Sequence, residues 1–110
     1  MRMKNNRRRK EMKVLRMRND NGKERLYTQF ICYPYIMQDE LFYFVAAVFY
    51  DNEHKENAAD TLKVYRKPDE AMAECLMQQQ LLLEQTEIDF DTYWELVRNL
   101  EDDQNDNESK

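Results

Sequence analysis

Hydrophobic and polar positions change their period along this chain, and the changes divide it into elements. Residues 1–9 are polar and basic with no periodicity, which predicts a flexible basic arm. Over residues 10–18, Met12, Val14, Leu15 and Met17 stand among cationic side chains, the pattern of an edge strand guarded by charge. Asn19-Asp20-Asn21-Gly22 follows, and Asn-Gly between two extended runs predicts a hairpin whose two central residues take positive φ. Residues 25–37 are rich in β-branched and aromatic types (Tyr27, Thr28, Phe30, Ile31, Tyr33, Tyr35, Ile36) and read as the second strand. Pro34 cannot donate to a ladder, so that strand is expected to bulge or end near it. After the polar turn Gln38-Asp39-Glu40, the ten residues 41–50 are apolar on both alternating faces. That run predicts a central strand, covered on both sides or covered on one and self-associating on the other. Residues 51–60 read as a charged loop, and residues 61–67, with Leu62, Val64 and Tyr65, as a short fourth strand.

Helical signals begin at Pro68. Proline at a first helical position costs no hydrogen bond, and Asp69 and Glu70 complement the positive end of the helix dipole. At helical spacing Ala71, Met72, Cys75, Leu76, Leu82 and Leu83 fall within one arc of roughly 140°, which is expected to face the sheet. Gln79 falls inside that arc, whereas Met77 and Leu81 fall outside it, among Glu70, Glu74 and Gln85. Residues 86–91 break the pattern. Thr92-Tyr93-Trp94-Glu95 has the spacing of a capping box, and Tyr93, Leu96, Val97 and Leu100 then recur at helical spacing, with Phe90 and Trp94 at the edge. Residues 101–110 are too polar to bury anything and are expected to form a disordered acidic tail. The fold expected is α+β: a four-stranded antiparallel sheet, in the order ββββαα, with both C-terminal helices on one face and residues 10–100 forming a single domain.

Composition narrows the classes. At 110 residues the chain has room for one modest core, and at 42% apolar with 35% charged it is too apolar for wholesale disorder. No apolar run reaches the roughly 20 residues that a membrane helix needs. The first ten residues lack the apolar segment of a secretory signal, so a cytoplasmic location is expected.

Charge changes the picture more. Residues 1–25 hold eleven Lys/Arg against three acids, whereas residues 69–110 hold thirteen acids against two basic residues, within an overall net charge of −5. Each pole can steer a different partner, or the basic first strand can lie near the acidic helices and lower their repulsion.

Catalytic constellations are missing. His54, the one histidine, lies among Asp, Glu, Lys and Asn and reads as a solvated loop residue. Cys32 and Cys75, 43 positions apart, read as reduced core residues, and no third or fourth zinc ligand accompanies them. One glycine cannot make a phosphate-cradling loop. Glu87, Asp89 and Asp91 lack the glycine and the distal glutamate of a calcium loop. The expectation is therefore a non-enzymatic protein with no cofactor and no metal.

Binding remains. In size and charge pattern the chain resembles the small nucleic-acid mimics that mobile elements use against host nucleases, such as anti-CRISPR and anti-restriction proteins. That analogy implies competition, with Asp69, Glu70, Glu74, Glu84, Glu87, Asp89, Asp91 and Glu95 occupying cationic sites meant for phosphates on a basic protein partner. Met77 and Leu81, stranded on the acidic side of their helix, are the expected apolar anchors, unless they pack on the second helix. The alternative is a small nucleic-acid binder using Arg7, Arg8, Arg9, Lys10, Lys13, Arg16 and Arg18, with Tyr27, Tyr33 or Tyr43 stacking on bases. A homodimer through Met77 and Leu81, or through a spare face of Phe42, Phe44, Val48 and Tyr50, is the third.

Overall fold

The computed structural model describes the backbone of residues 11–108 and the side chains of residues 11–100, so the basic arm at residues 1–9 and Lys10 lie outside the described residues. The elements run β1 (Glu11–Met12), β2 (Leu15–Arg18), β3 (Glu24–Tyr27), β4 (Gln29–Met37), β5 (Glu40–Asp51), β6 (Glu56–Tyr65), α1 (Pro68–Leu83), β7 (Ile88–Asp89) and α2 (Phe90–Glu108). The class is α+β, and the pairing is antiparallel throughout. The single four-stranded sheet is replaced by three small ones, β1-β7, β2-β3 and β4-β5-β6.

The apolar run at residues 25–37 serves two of those sheets. Its first part pairs with β2 from Leu15↔Tyr27, and its second pairs with β5 from Gln29↔Val48. Thr28 stands between them and donates its N–H to Val48 O at 2.8 Å. Successive strand residues point to opposite faces, and that alternation sorts the core into two clusters. Tyr27, Phe30, Ala47, Phe49 and Leu82 form one, with α1 above them. Leu26, Tyr93, Val97 and Leu100 form the other, with Tyr50 and Trp94 packed against it. Since Leu26 and Tyr27 adjoin, as do Phe49 and Tyr50, the two helices cover opposite faces rather than the one face expected.

Tyr27 is wholly buried, so its hydroxyl needs a partner inside. It donates to Asp60 Oδ2 at 2.5 Å. Asn19 Nδ2 and Arg25 Nε approach the same oxygen, each at 3.4 Å, and the Arg25 guanidinium lies 4.2 Å above the Phe49 ring. Desolvation, then the Asp60 carboxylate, pushes the Tyr27 hydroxyl well above its ordinary pKa. One carboxylate on β6 thereby ties down the β2–β3 hairpin.

Turns and edges depart from expectation for local reasons. The Asn19–Gly22 turn closes by Gly22 N–H to Asn19 O at 3.0 Å, with Asn19 Oδ1 accepting from Asn21 and Lys23 N–H, and only Gly22 takes positive φ there. The two-residue turn with both φ positive is instead Gln38 (50°) and Asp39 (67°), between the paired Met37 and Glu40. β4 runs through Pro34 without a break, in register with Tyr43. The Phe30 N–H points away from β5, to Gln79 Oε1 at 3.3 Å. By alternation Pro34 also presents its nitrogen to the free edge, where no ladder bond is lost. The expected charged loop at 51–60 is mostly strand. Pairing from Asp51↔Glu56 to Ala47↔Asp60 extends β6 back along the apolar β5, and Leu62, without a partner at the register shift, packs against the first cluster. α2 starts at Phe90, two residues before the expected cap at Thr92, and continues to Glu108 rather than ending at Leu100.

Two stability measurements follow. Tyr27→Phe is expected to cost about 1.5–3 kcal/mol in urea unfolding, as for a hydrogen bond to a charged group, and to be strongly non-additive with Asp60→Ala. Additivity would show that the pair is not coupled. Gln38→Asn with Asp39→Gly, which relieves left-handed backbone at non-glycine positions, is expected to stabilise the protein by about 1 kcal/mol. No gain would contradict the turn geometry.

Candidate protein interface

α1 is anchored at both ends by the means its sequence provides. Pro68 opens it, Asp69 and Glu70 lie in the first turn, and the Lys13 ammonium donates to Leu83 O at 2.5 Å at the negative end of the dipole. Its inner seam is Ala71 and Leu82, fully buried, with Glu74, Cys75, Gln78 and Gln79 half-buried beside them. At about 100° per residue this seam is centred roughly 60° away from the expected arc. Met72, Leu76 and Leu83, expected against the sheet, therefore face outward, Leu76 at 66% exposure. Gln79 reaching the free Phe30 amide, and Glu74 gathering the Tyr65 hydroxyl (3.5 Å), the Gln78 amide (2.9 Å) and Lys63 (3.9 Å), hold the helix in this rotation.

The anchors and the carboxylates divide accordingly. Met77 and Leu81 are exposed, at 52% and 42%, on the side of α1 that carries Glu70 and Glu84. Asp69, Glu70, Glu84, Glu87, Asp91 and Glu95 are exposed, and none forms an ion pair among the described residues. Two expected site residues do not join them. Glu74 is turned inward, its side chain only 11% exposed. Asp89 pairs with Glu11 in β7–β1, and its Oδ1 accepts the Thr92 N–H at 2.9 Å, so it caps α2 in place of the expected Thr92–Glu95 box.

Of the basic residues expected to meet phosphates, Arg16 and Arg18 are engaged within their own hairpin, and Lys13 at the C-terminal end of α1. Arg16 bonds Glu24 Oε1 at 2.6 Å, and Arg18 bonds Glu24 Oε2 at 3.1 Å and Gly22 O at 2.6 Å. Arg7, Arg8, Arg9 and Lys10 lie outside the described residues. Of the tyrosines expected to stack on bases, Tyr27 is buried. Tyr43 shares the α1 side of the sheet with Val45, and Tyr33 lies half-exposed on the other side, its ring 5.7 Å from Phe44.

The chemical candidates remain modest. Asp51, Glu53 and His54 hold ligand atoms within 4.8 Å of one another, but the grouping is an exposed turn in which Asp51 Oδ1 accepts two amides and Oδ2 meets His54 Nδ1 at 2.7 Å. That last hydrogen bond raises the His54 pKa above 6.5 and lowers that of Asp51. Cys32 and Cys75 are free, and burial pushes the Cys75 thiol up, away from thiolate reactivity. Among the described residues no helix is long and apolar enough to cross a membrane.

Sequence reasoning missed the outward stripe of Met72, Leu76 and Leu83, together with exposed Tyr35, Ile36, Leu41 and Val64 at the far end of the three-stranded sheet. The available signal was the Gln78-Gln79-Gln80 run in a helix that is apolar nearly all round. No protein-family model, curated protein or solved structure matches the chain.

The rotation of α1 is checked by stability. Met77→Glu with Leu81→Glu is expected to change unfolding free energy by less than about 1 kcal/mol, as for surface positions, whereas Leu82→Ala should cost about 2–5 kcal/mol. Equal losses would place Met77 and Leu81 in the core.

Proposed function

We propose that the protein is a non-enzymatic interaction module, and in its most specific form an acidic inhibitor that occupies the cationic nucleic-acid site of a basic protein. The observation that carries this reading is a set of exposed carboxylates that form no ion pair among the described residues: Asp69, Glu70 and Glu84 on or beside α1, where Met77 and Leu81 are also exposed, and Glu87, Asp91 and Glu95 further along the chain. Carboxylates left to solvent keep their long-range attraction for lysine and arginine, and apolar anchors supply the desolvated contact that charge alone lacks. The ribbon arginines support the reading by where they are spent: Arg16 and Arg18 meet Glu24, and the helix carboxylates stay available. Nucleic-acid binding through Lys13, Arg16 and Arg18 is the weaker alternative, since each already has a partner within the fold.

The test is capture followed by competition. Tagged protein should retain basic nucleic-acid-binding proteins from a lysate, release them to heparin or high salt, and lose them on Glu70→Lys with Glu84→Lys or on Met77→Glu with Leu81→Glu. Salt-sensitive retardation of DNA or RNA by the protein itself, abolished by deleting residues 1–10, would contradict the proposal.

A further inference from the structure

β5 is covered on one side by α1, and on the other, among the described residues, α2 packs at its Tyr50 end. The register places Ile31, Tyr33 and Tyr35 of β4, Phe42 and Phe44 of β5, and Val64 of β6 on that second face. Tyr35 and Val64 are 50% and 44% exposed, and the Phe44 ring lies 5.0 Å from Tyr35 and 5.7 Å from Tyr33. We infer that this aromatic face is the surface through which two copies of the chain pair, sheet against sheet.

Charge identifies the occupant. The chain is 35% charged, yet the strand positions of β4, β5 and β6 on this face carry one ionised side chain, Glu40. It lies at the hairpin end, and Arg66 neutralises it at 2.6 Å while its guanidinium covers the Phe42 ring at 4.8 Å. Among the described residues, a nucleic acid finds no surplus cation there, and a basic protein finds no surplus anion. A second copy brings the same neutral, ring-rich face, with charges depleted at its centre and aromatics enriched, as in the core of an interface. Self-association through the outer side of α1 would instead set carboxylates against carboxylates.

Size agrees. Three strands about 4.8 Å apart, over about seven residues at 3.3 Å each, give a patch of roughly 15 by 25 Å. With side-chain relief this is on the order of 500 Å² per copy and 1,000 Å² in total, the lower bound of a specific interface. Aligned sheets pack about 10 Å apart, and α2 beside Tyr50 limits how far one sheet slides over the other. The pairing leaves α1 outward on both copies, so it is compatible with the acidic reading and does not depend on it.

Sedimentation of the full chain tests this, at concentrations from about 1 to 200 μM, the range in which a minimal interface dissociates. The wild type is expected to approach twice its 13.5 kDa mass. Tyr35→Lys with Val64→Lys should weaken association at least about 100-fold with circular dichroism unchanged, whereas Leu76→Glu on α1 should leave it intact. If the double variant unfolds, exposed Thr61→Lys on the same face is read in its place, with the same expectation. A wild type that stays monomeric, or a dimer broken by Leu76→Glu and not by the sheet variants, overturns the inference. So does a monomer that binds a labelled oligouridine through Tyr35 and Val64.

Discussion

Burial of Tyr27 sets the positions of the larger elements, because its hydroxyl must take a partner into the core with it. Asp60 is that partner, and it sits on the far edge of the three-stranded sheet from β4. The hairpin therefore folds across the sheet, with Phe49 edge-on to the Tyr27 ring at 6.0 Å. The neighbouring residue, Leu26, must then point the other way and collect Tyr93, Val97 and Leu100 of α2. Two consecutive side chains thus assign one helix to each face. Splitting the apolar material between two clusters leaves neither helix enclosed, and for α1 this exposes most of its outer circumference.

Much of the local structure was legible along the chain. The strands at 15–18 and 40–51, the turn at Asn19–Gly22 and the proline start of α1 follow from residue types whose backbone preferences are strong. The failures share a cause: tertiary pairing overrode weak local signals. Glu56 to Thr61 lacks β-branched residues before its last position, but it lies beside β5, whose buried ladder recruits it. Thr28 has no property that marks a change of sheet. The rotation of α1 was hidden because its outer residues are as apolar as its inner ones, so hydrophobic spacing could not choose between two arcs. Two polar contacts chose instead: Gln79 with the Phe30 amide, and Glu74 with Tyr65. Likewise Asp89 rather than Thr92 caps α2, since β7 holds Asp89 beside the first turn.

The candidate site was legible in part. Met77, Leu81 and six of the eight nominated carboxylates are exposed as the charge pattern suggested, while Glu74 and Asp89 are used structurally. The +8 of residues 1–25 and the acidic remainder were compatible with internal neutralisation. Within the described residues the arginines of β2 pair with Glu24 across their own hairpin, because antiparallel neighbours lie closer than any helix. Among the described residues, that short-range pairing keeps Arg16 and Arg18 from the helix carboxylates. The carboxylates of α1 and the neutral aromatic surface lie on opposite sides of one sheet.

The rotation of α1 is the premise shared by the surface and the core. Methyl-resolved NMR with a soluble paramagnetic probe measures it directly, since broadening reports the distance of each methyl from solvent. The account predicts strong broadening at Met72, Leu76 and Leu83 and protection at Leu82, Val45 and Val97. Protection of Leu76 and Leu83 to the level of Leu82 would contradict it.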